Sequence, residues 1–312
     1  NNISTWTKTL PTSLQDCSKA WLGNALTTWN TTLPDSITDC SDAWGYNNLT
    51  NWDTALPTSL IICARAWKNN NIDTWNAILP NTLQNCSSAW FKNNLTTWTT
   101  TLPDSIIDCS KAWRENAFAT WTQPLPSFLV KCSRAWQDNA LTGWNTPLPN
   151  TIEDCSIAWA GNSLSSWSVT LPTSLINCSQ AWFGNNLSAW ARVLPTSLKN
   201  CFRAWRNNSL TEWEVDIPAS LENCSEAWLD NNITDWTGAG SWAGVTDAKD
   251  CATQANINTT DYDNLLVLIE NTNQNNDVSY NWGSSNYTVT GQAARNALIN
   301  DHNATINDGE LV

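Results

Sequence analysis

Cysteine is the residue type here with the most chemical potential, and it recurs with a fixed period. Cys17, Cys40 and Cys63 begin a series of ten cysteines spaced 23 residues apart. Zinc sites use closely spaced cysteine pairs, commonly with histidine. The chain has a single histidine, His302, so we expect no metal site.

Disulfide bonds between these cysteines are also disfavoured. If the 23-residue units stack, equivalent Cβ atoms lie about 4.8 Å apart, whereas a disulfide needs about 3.8 Å. We therefore expect buried, reduced thiols that pack as small apolar groups. Cys251 lies outside the periodic series.

Other catalytic groups are sparse. Acidic residues recur in no repeat phase, and the sequence offers no glycine-rich phosphate loop and no serine–histidine–aspartate set. A glycosidase-type carboxylate pair, which forms only in the folded chain, remains the enzymatic alternative. We expect a protein that is not an enzyme and uses no cofactor.

The period extends to other residue types. Each cysteine is followed by an Ala-Trp pair, an asparagine and a second tryptophan at constant offsets; the first two sets are Trp21, Asn24, Trp29, Trp44, Asn47 and Trp52. We expect both tryptophans in the core and the asparagines in a ladder bonded to turn backbone of the next repeat. The alternatives are a row of exposed rings that binds sugars and a ligand-binding role for asparagine.

Local patterns predict the elements of each unit. Leu14, Cys17 and Trp21 share one helical face, and Pro11 suits a first helical turn. Residues 22–24 have turn chemistry, and Leu26–Thr32 resembles a short strand. The prediction is an α/β repeat solenoid over residues 1–236, with ten repeats plus a partial first repeat. A parallel sheet would form one face and short helices the other.

Residues 237–312 depart from the period and predict a small α+β module that caps or connects the array. We expect a helix over 261–270 and a strand pair across 278–289. A second helix is expected over 291–300, with Thr290 as its N-cap.

The stretch C-S-x-A-W-x-x-N-x-L-T-x-W, followed by L-P-x-S-L, resembles the BspA-like leucine-rich repeats of bacterial surface proteins in a tryptophan-rich variant. The tail, with Tyr262-Asp263, Ala293-Ala294-Arg295 and Asp308-Gly309, resembles a module that often ends such arrays. The resemblance implies a leucine-rich-repeat solenoid with an adhesion or recognition role. The chain departs from the family in having Trp for Phe or Ile, Asn for the turn Cys, and a longer strand-to-proline spacing.

Composition limits the classes of partner that the chain is expected to bind. The net charge of −13 argues against nucleic acid and anionic membranes, and no run of roughly 18–20 apolar residues predicts membrane insertion. The abundance of Asn, Thr and Ser suits an extracellular, cell-surface or virion location. The leading hypothesis is a surface-displayed structural and recognition protein that binds a protein or glycan on a cell or virion.

Two further functional classes stay open. The first is self-assembly into a filament or coat, through an uncapped N-terminal rung. The second is an ice- or glycan-binding module, suggested by a threonine column that Asp73 and Ala119 interrupt. Candidate N-glycosylation sites at matching repeat phases are Asn48, Asn94, Asn186 and Asn232.

Overall fold

A computed structural model describes residues 2–312 and divides the chain into two compact units, Asn1–Ile152 and Glu153–Val312. In the first unit, strand β1 (Asn51–Trp52) pairs in parallel with β2 (Thr74–Trp75). The second unit contains β3 (Glu212–Trp213), β4 (Asp235–Trp236), helix α1 (Thr259–Thr272), β5 (Ser279–Asn281), helix α2 (Val289–His302) and β6 (Thr305–Asn307). Neither helix is long and apolar enough to cross a membrane, and residues 2–312 contain no other.

Successive repeats within each unit are joined by backbone hydrogen bonds. The N–H groups of Cys17, Lys19 and Trp21 donate to carbonyl oxygens of the next repeat at 2.9–3.0 Å. Parallel bridges link equivalent residues, which are Asp16, Asp39, Ile62, Asn85, Asp108 and Lys131 in the first unit and Asp154, Asn177, Asn200, Asn223 and Asp247 in the second. Residues 23 positions apart therefore lie next to each other in neighbouring repeats, and equivalent residues of successive repeats form a column within each unit.

The predicted helix after each proline is wrong. Residues 12–13 and 18–23 form turns on either side of the bridge residue Asp16, with Lys19 and Asp42 in the left-handed region at φ 59° and 57°. A left-handed residue interrupts a right-handed helix. The N–H groups of Lys19 and Trp21 bond to the next repeat, and that of Ala20 bonds to Cys17 three residues earlier, so the i to i−4 pattern of an α-helix is absent.

The predicted strands are present in reduced form. The segment after each turn is extended, but only β1, β2, β3 and β4 qualify as strands there, each of two residues. Their parallel register pairs Trp52 with Trp75 and Trp213 with Trp236, as a stack of equivalent residues requires. Two residues before β1, a side chain takes the backbone N–H: Leu49 donates to Asn70 Oδ1 at 3.0 Å.

Stacking continues beyond residue 236 in the second unit. Gly240 bridges Ile217, at φ 94° and so close that a Cβ would collide with the Ile217 carbonyl oxygen. Ala248 in turn bridges Tyr280 in β5.

Both predicted helices of the tail are confirmed as α1 and α2, but the Thr290 cap is wrong because Thr288 caps α2. The predicted strand pair across 278–289 is also wrong. Strand β5 pairs instead with β6, in parallel, so that this region repeats the rung-to-rung pairing of the chain before it.

Candidate functional site

The cysteine column is buried and chemically quiet. All eleven cysteines are free thiols, and Cys17, Cys40 and Cys63 are at most 4% exposed. Burial raises the pKa of Cys17 to about 12 and raises the pKa of Cys40 and Cys63 well above the usual range, because a thiolate loses its hydration there. No group of three His, Cys, Asp or Glu residues within 2–312 could hold a metal ion.

The tryptophans form two neighbouring buried columns. Trp21 stacks on Trp44 with ring centroids 5.3 Å apart, and Trp29 stacks on Trp52 at 6.3 Å. Between the columns, Trp21 meets Trp29 edge-on at 4.5 Å. All four rings are at most 5% exposed, so no ring face is available to stack on a sugar. Such pairs each contribute about 0.5–1.5 kcal/mol beyond the burial of area.

The two columns differ in how most of their indole N–H groups are satisfied, although Trp98 and Trp236 of the second column also lack an acceptor. Trp29 and Trp52 donate to the carbonyl oxygens of Thr31 and Thr54, at 2.8 and 2.9 Å. In the Ala-Trp column the indole nitrogens lack a hydrogen-bond partner at Trp44, Trp67, Trp90, Trp113, Trp182, Trp205 and Trp228. An unpaired buried donor costs about 1–3 kcal/mol, so packing of the rings must outweigh hydrogen bonding at these positions.

The asparagine column ties each repeat to the preceding one rather than to the next. Asn47 is buried, and its Nδ2 donates to the carbonyl oxygens of Trp21 at 2.8 Å and of Trp44 at 3.1 Å. Its Oδ1 accepts from the N–H of Leu26 at 3.1 Å. Asn24 is half-buried and accepts from Ile3 at 3.4 Å. One side chain thus satisfies backbone groups of two repeats, which leaves it committed to structure.

The second tryptophan of each repeat, such as Trp29, has neighbours that face solvent. They are the two residues before it and the one after it, here Thr27, Thr28 and Asn30. We call the set of these residues from all repeats the outer face. In the first unit it is mainly Thr and Asn, with the acids Asp53 and Asp73. In the second unit, Glu212, Glu214 and Asp235 make it acidic. The candidate glycosylation residues Asn48, Asn94, Asn186 and Asn232 are also exposed.

Several exposed outer-face threonines have unengaged hydroxyls, and two adjacent repeats supply four that flank their tryptophans. They are Thr97, Thr99, Thr120 and Thr122, which flank Trp98 and Trp121 in adjacent repeats. All four are exposed, and none donates to or accepts from another group among the described residues through its side chain. These hydroxyls are therefore free to bind water or a ligand.

Beside the outer face, the chain forms an open cleft at the corner before a proline. Thr122, Pro124, Asn145 and Pro147 line it, and its volume is about 520 Å³. A cleft of the same phase occurs near Pro34, lined by Thr7, Asn30 and Thr32. The clefts are shallow repeats of one corner rather than a single enclosed pocket.

Ion pairs link neighbouring repeats. Glu226 receives two hydrogen bonds from Arg203, at 2.8 and 2.9 Å, and also pairs with Arg206. The Arg203 bonds are the main cause that holds the pKa of Glu226 below its usual value, against the opposing effect of burial.

A buried polar cluster lies in the C-terminal part. The Tyr262 hydroxyl donates to Asp308 Oδ2 at 2.8 Å, and Arg295 Nη2 pairs with Asp308 Oδ1 at 2.8 Å. The Asp308 side chain is 1% exposed, and Arg295 also lies over the Tyr287 ring at 5.0 Å. Burial, with the nearby Asp308 carboxylate, raises the pKa of Tyr262. These contacts join α1, α2 and the segment after β6.

No protein-family model matches the chain. No curated protein sequence matches it significantly either. The BspA-like similarity therefore rests on the short repeat motif alone.

Sequence reasoning missed two features of this architecture. The Tyr262–Asp308–Arg295 cluster joins residues up to 46 positions apart, and the tail motifs contain all three without indicating that they touch. The free hydroxyls flanking Trp98 and Trp121 could have been found from the alternation around a buried tryptophan, because neighbours of an inward residue point outward in extended chain.

Proposed function

We propose that this chain is a non-enzymatic, surface-displayed structural and recognition protein of the adhesin or virion-fibre type, built as a repeat solenoid. The observation that carries the proposal is the contrast between buried and exposed positions. The Cys, Ala-Trp, Asn and second-Trp columns are nearly constant and mostly buried, with Asn24, Asn116, Asn139 and Asn208 half-buried, while outer-face residues change from repeat to repeat. Repeat proteins that bind extended partners divide scaffold and surface in this way.

The partner proposed is a protein or glycan on a cell or virion. Because the tryptophan rings are buried, contact would be made by Thr, Asn and acidic side chains of the outer face. The acidic face of the second unit further disfavours polyanions. The motif similarity to bacterial surface repeats supports an extracellular location.

A binding screen with matched variants tests this. The full chain, fluorescently labelled, would be applied to a glycan array and to intact cells, beside Thr97→Glu/Thr120→Glu and the control Gln84→Glu. Both changes should preserve folding, since Glu212 occupies the Thr97 phase and Glu222 the Gln84 phase. We expect binding that the threonine variant loses and the control keeps. No binding by the parent chain, or equal loss in both variants, would refute a recognition role for this face.

A second candidate, ice binding, is favoured by the four free hydroxyls. Rung spacing places equivalent threonines about 4.8 Å apart, and residues flanking one tryptophan about 6.7 Å apart. Such an uncharged array of hydroxyls would hold water in an ordered layer. Thermal hysteresis and inhibition of ice recrystallisation, abolished in Thr97→Glu/Thr120→Glu and retained in Gln84→Glu, would support this candidate, and their absence in the parent chain would reject it.

A further inference from the structure

The aromatic core of the second unit leads, ring by ring, to one tyrosine. Trp182, Trp205 and Trp228 follow one another at centroid distances of 5.8 Å. Trp236 lies 5.0 Å from Trp228, and Trp282 lies 5.4 Å from Trp236. The last contact, 6.4 Å, is between Trp282 and Tyr262. The rings are all buried and form an uninterrupted series of neighbours.

The indole N–H groups along this series share a second property. Those of Trp182, Trp205, Trp228, Trp236 and Trp282 are buried and have no hydrogen-bond acceptor. An indole that loses one electron becomes a cation radical, which normally gives its N–H proton to a base and becomes a neutral radical, a weaker oxidant. Without an acceptor the proton stays, and the radical remains strong enough an oxidant to take an electron from the next ring.

Tyr262 is the point at which a base is available. Its hydroxyl donates to the Asp308 carboxylate at 2.8 Å. Tyr280, also buried and 6.3 Å from Trp242, has no such base, because its oxygen accepts from Asn273 Nδ2 at 2.7 Å. The Cys251 thiol faces only the Asn281 carbonyl oxygen, a weak base.

We propose that the second unit conducts oxidising equivalents away from its buried indoles to Tyr262, which is oxidised with transfer of its proton to Asp308. Ultraviolet excitation of an indole, with dissolved dioxygen as the one-electron acceptor, creates the first cation radical and superoxide. Electrons then move from ring to ring toward that radical, and the final electron comes from Tyr262. Its O–H bond breaks, the proton passes to Asp308 Oδ2, and a neutral phenoxyl radical and a carboxylic acid result. This activity would protect the core from photo-oxidation and is independent of the proposed recognition role.

The test uses the full chain with the exposed Tyr46 and the half-buried Tyr287 replaced by phenylalanine. Samples illuminated in air and frozen would be compared by electron paramagnetic resonance. We expect a tyrosyl radical in this parent and in Tyr280→Phe, and only tryptophanyl radicals in Tyr262→Phe, with more oxidised tryptophan after prolonged illumination. A tyrosyl yield in Tyr262→Phe equal to that in Tyr280→Phe, or no tyrosyl radical in the parent, would overturn the proposal.

Two rate measurements test whether the Tyr262 hydroxyl proton passes to Asp308. Asp308→Asn should slow tyrosyl formation on the order of a hundredfold, the contribution of a positioned base. Flash photolysis of the parent chain should also show slower tyrosyl formation in heavy water than in light water. This second measurement needs no substitution at Asp308, and equal rates in the two solvents would contradict proton transfer to that carboxylate.

Discussion

Asn70 bonds backbone groups of two repeats with a single amide: its Nδ2 donates to the Trp44 carbonyl oxygen at 2.9 Å, and its Oδ1 accepts from the Leu49 N–H at 3.0 Å. The side chain is almost fully buried. Loss of this amide would leave the Leu49 N–H without its partner, whereas the Trp44 carbonyl oxygen would keep the bond from Asn47 Nδ2 at 3.1 Å.

We expect Asn70→Ala to lower the free energy of unfolding by about 2 kcal/mol, since one unpaired buried group costs about 1–3 kcal/mol. The matched control is Asn71→Ala, because Asn71 is exposed and its backbone N–H, which the change retains, bonds to Leu49. Urea denaturation followed by tryptophan fluorescence measures both. Equal midpoints for the two variants would contradict the role given to Asn70.

The Arg295–Asp308 pair should contribute far more than an exposed pair of the same unit. Arg295→Ala leaves the Asp308 carboxylate buried without its cation, which we expect to cost about 3 kcal/mol. Lys199→Ala removes a pair in which both side chains are more than half exposed, and such pairs contribute about 0–1 kcal/mol. Thermal unfolding by circular dichroism compares them, and similar losses would show that Asp308 finds water or another partner.

The lowered pKa of Glu226 predicts that the folded chain loses stability in acid. Its pKa in the folded chain lies below the ordinary 4.5, chiefly because Arg203 bonds to the carboxylate. A lowered folded-state pKa adds stability at neutral pH, and that stability is lost as the pH falls from about the ordinary value through the folded-state value. We expect Glu226→Gln to show a smaller loss of stability on acidification than the parent. Urea midpoints measured between neutral and acidic pH, with the exposed Glu214→Gln as control, test this, and parallel curves for parent and Glu226→Gln would exclude it.

The cysteines should be unreactive in the folded chain. Burial raises the pKa of Cys17 and of Cys251 to about 12, so the thiolate fraction is negligible even at mildly alkaline pH. We expect Ellman's reagent to label no thiol in the native chain and eleven after unfolding in denaturant. Rapid labelling without denaturant would mean that the column opens in the native state.

Backbone conformation gives a further test. Gly184 lies at φ 66° with no close neighbour where a Cβ would stand, whereas Gly143 has open space and no positive φ. Gly184→Ala should therefore cost about 1 kcal/mol through left-handed strain alone, and Gly143→Ala should be close to neutral. Denaturation midpoints distinguish them, and a neutral Gly184→Ala would show that the turn adapts.

The period shows which residues share a column, because 23-residue spacing in Cys17, Trp21 and Asn24 has no other simple origin. The pattern does not reveal the conformation between them. The spacing of Leu14, Cys17 and Trp21 fits a helical face, and the same inward directions arise from consecutive turns. The left-handed residue that decides between them is Lys19, Asp42, Arg65 or Ile157 according to the repeat, and none of these carries the glycine signature of that conformation.

In residues 237–312, by contrast, local conformation could be predicted from the sequence and the long-range pairing could not. Helices α1 and α2 follow from ordinary patterns, since capping residues and apolar spacing lie within each segment. The pairing of β5 with β6, and the contact of Tyr262 with Asp308, depend on segments separated by whole helices. No local pattern encodes such pairings.

Identical joints between neighbouring repeats have a genetic consequence. Removing one complete 23-residue unit from the interior of the first unit would bring together two surfaces that already fit, because each offers the same carbonyls to the same N–H groups. Removing 22 residues would instead leave one coil at the junction a residue too long and disturb that joint. Recombination between neighbouring copies can thus lengthen or shorten the coding sequence in whole steps without disturbing the interior, which gives the lineage a ready supply of size variants.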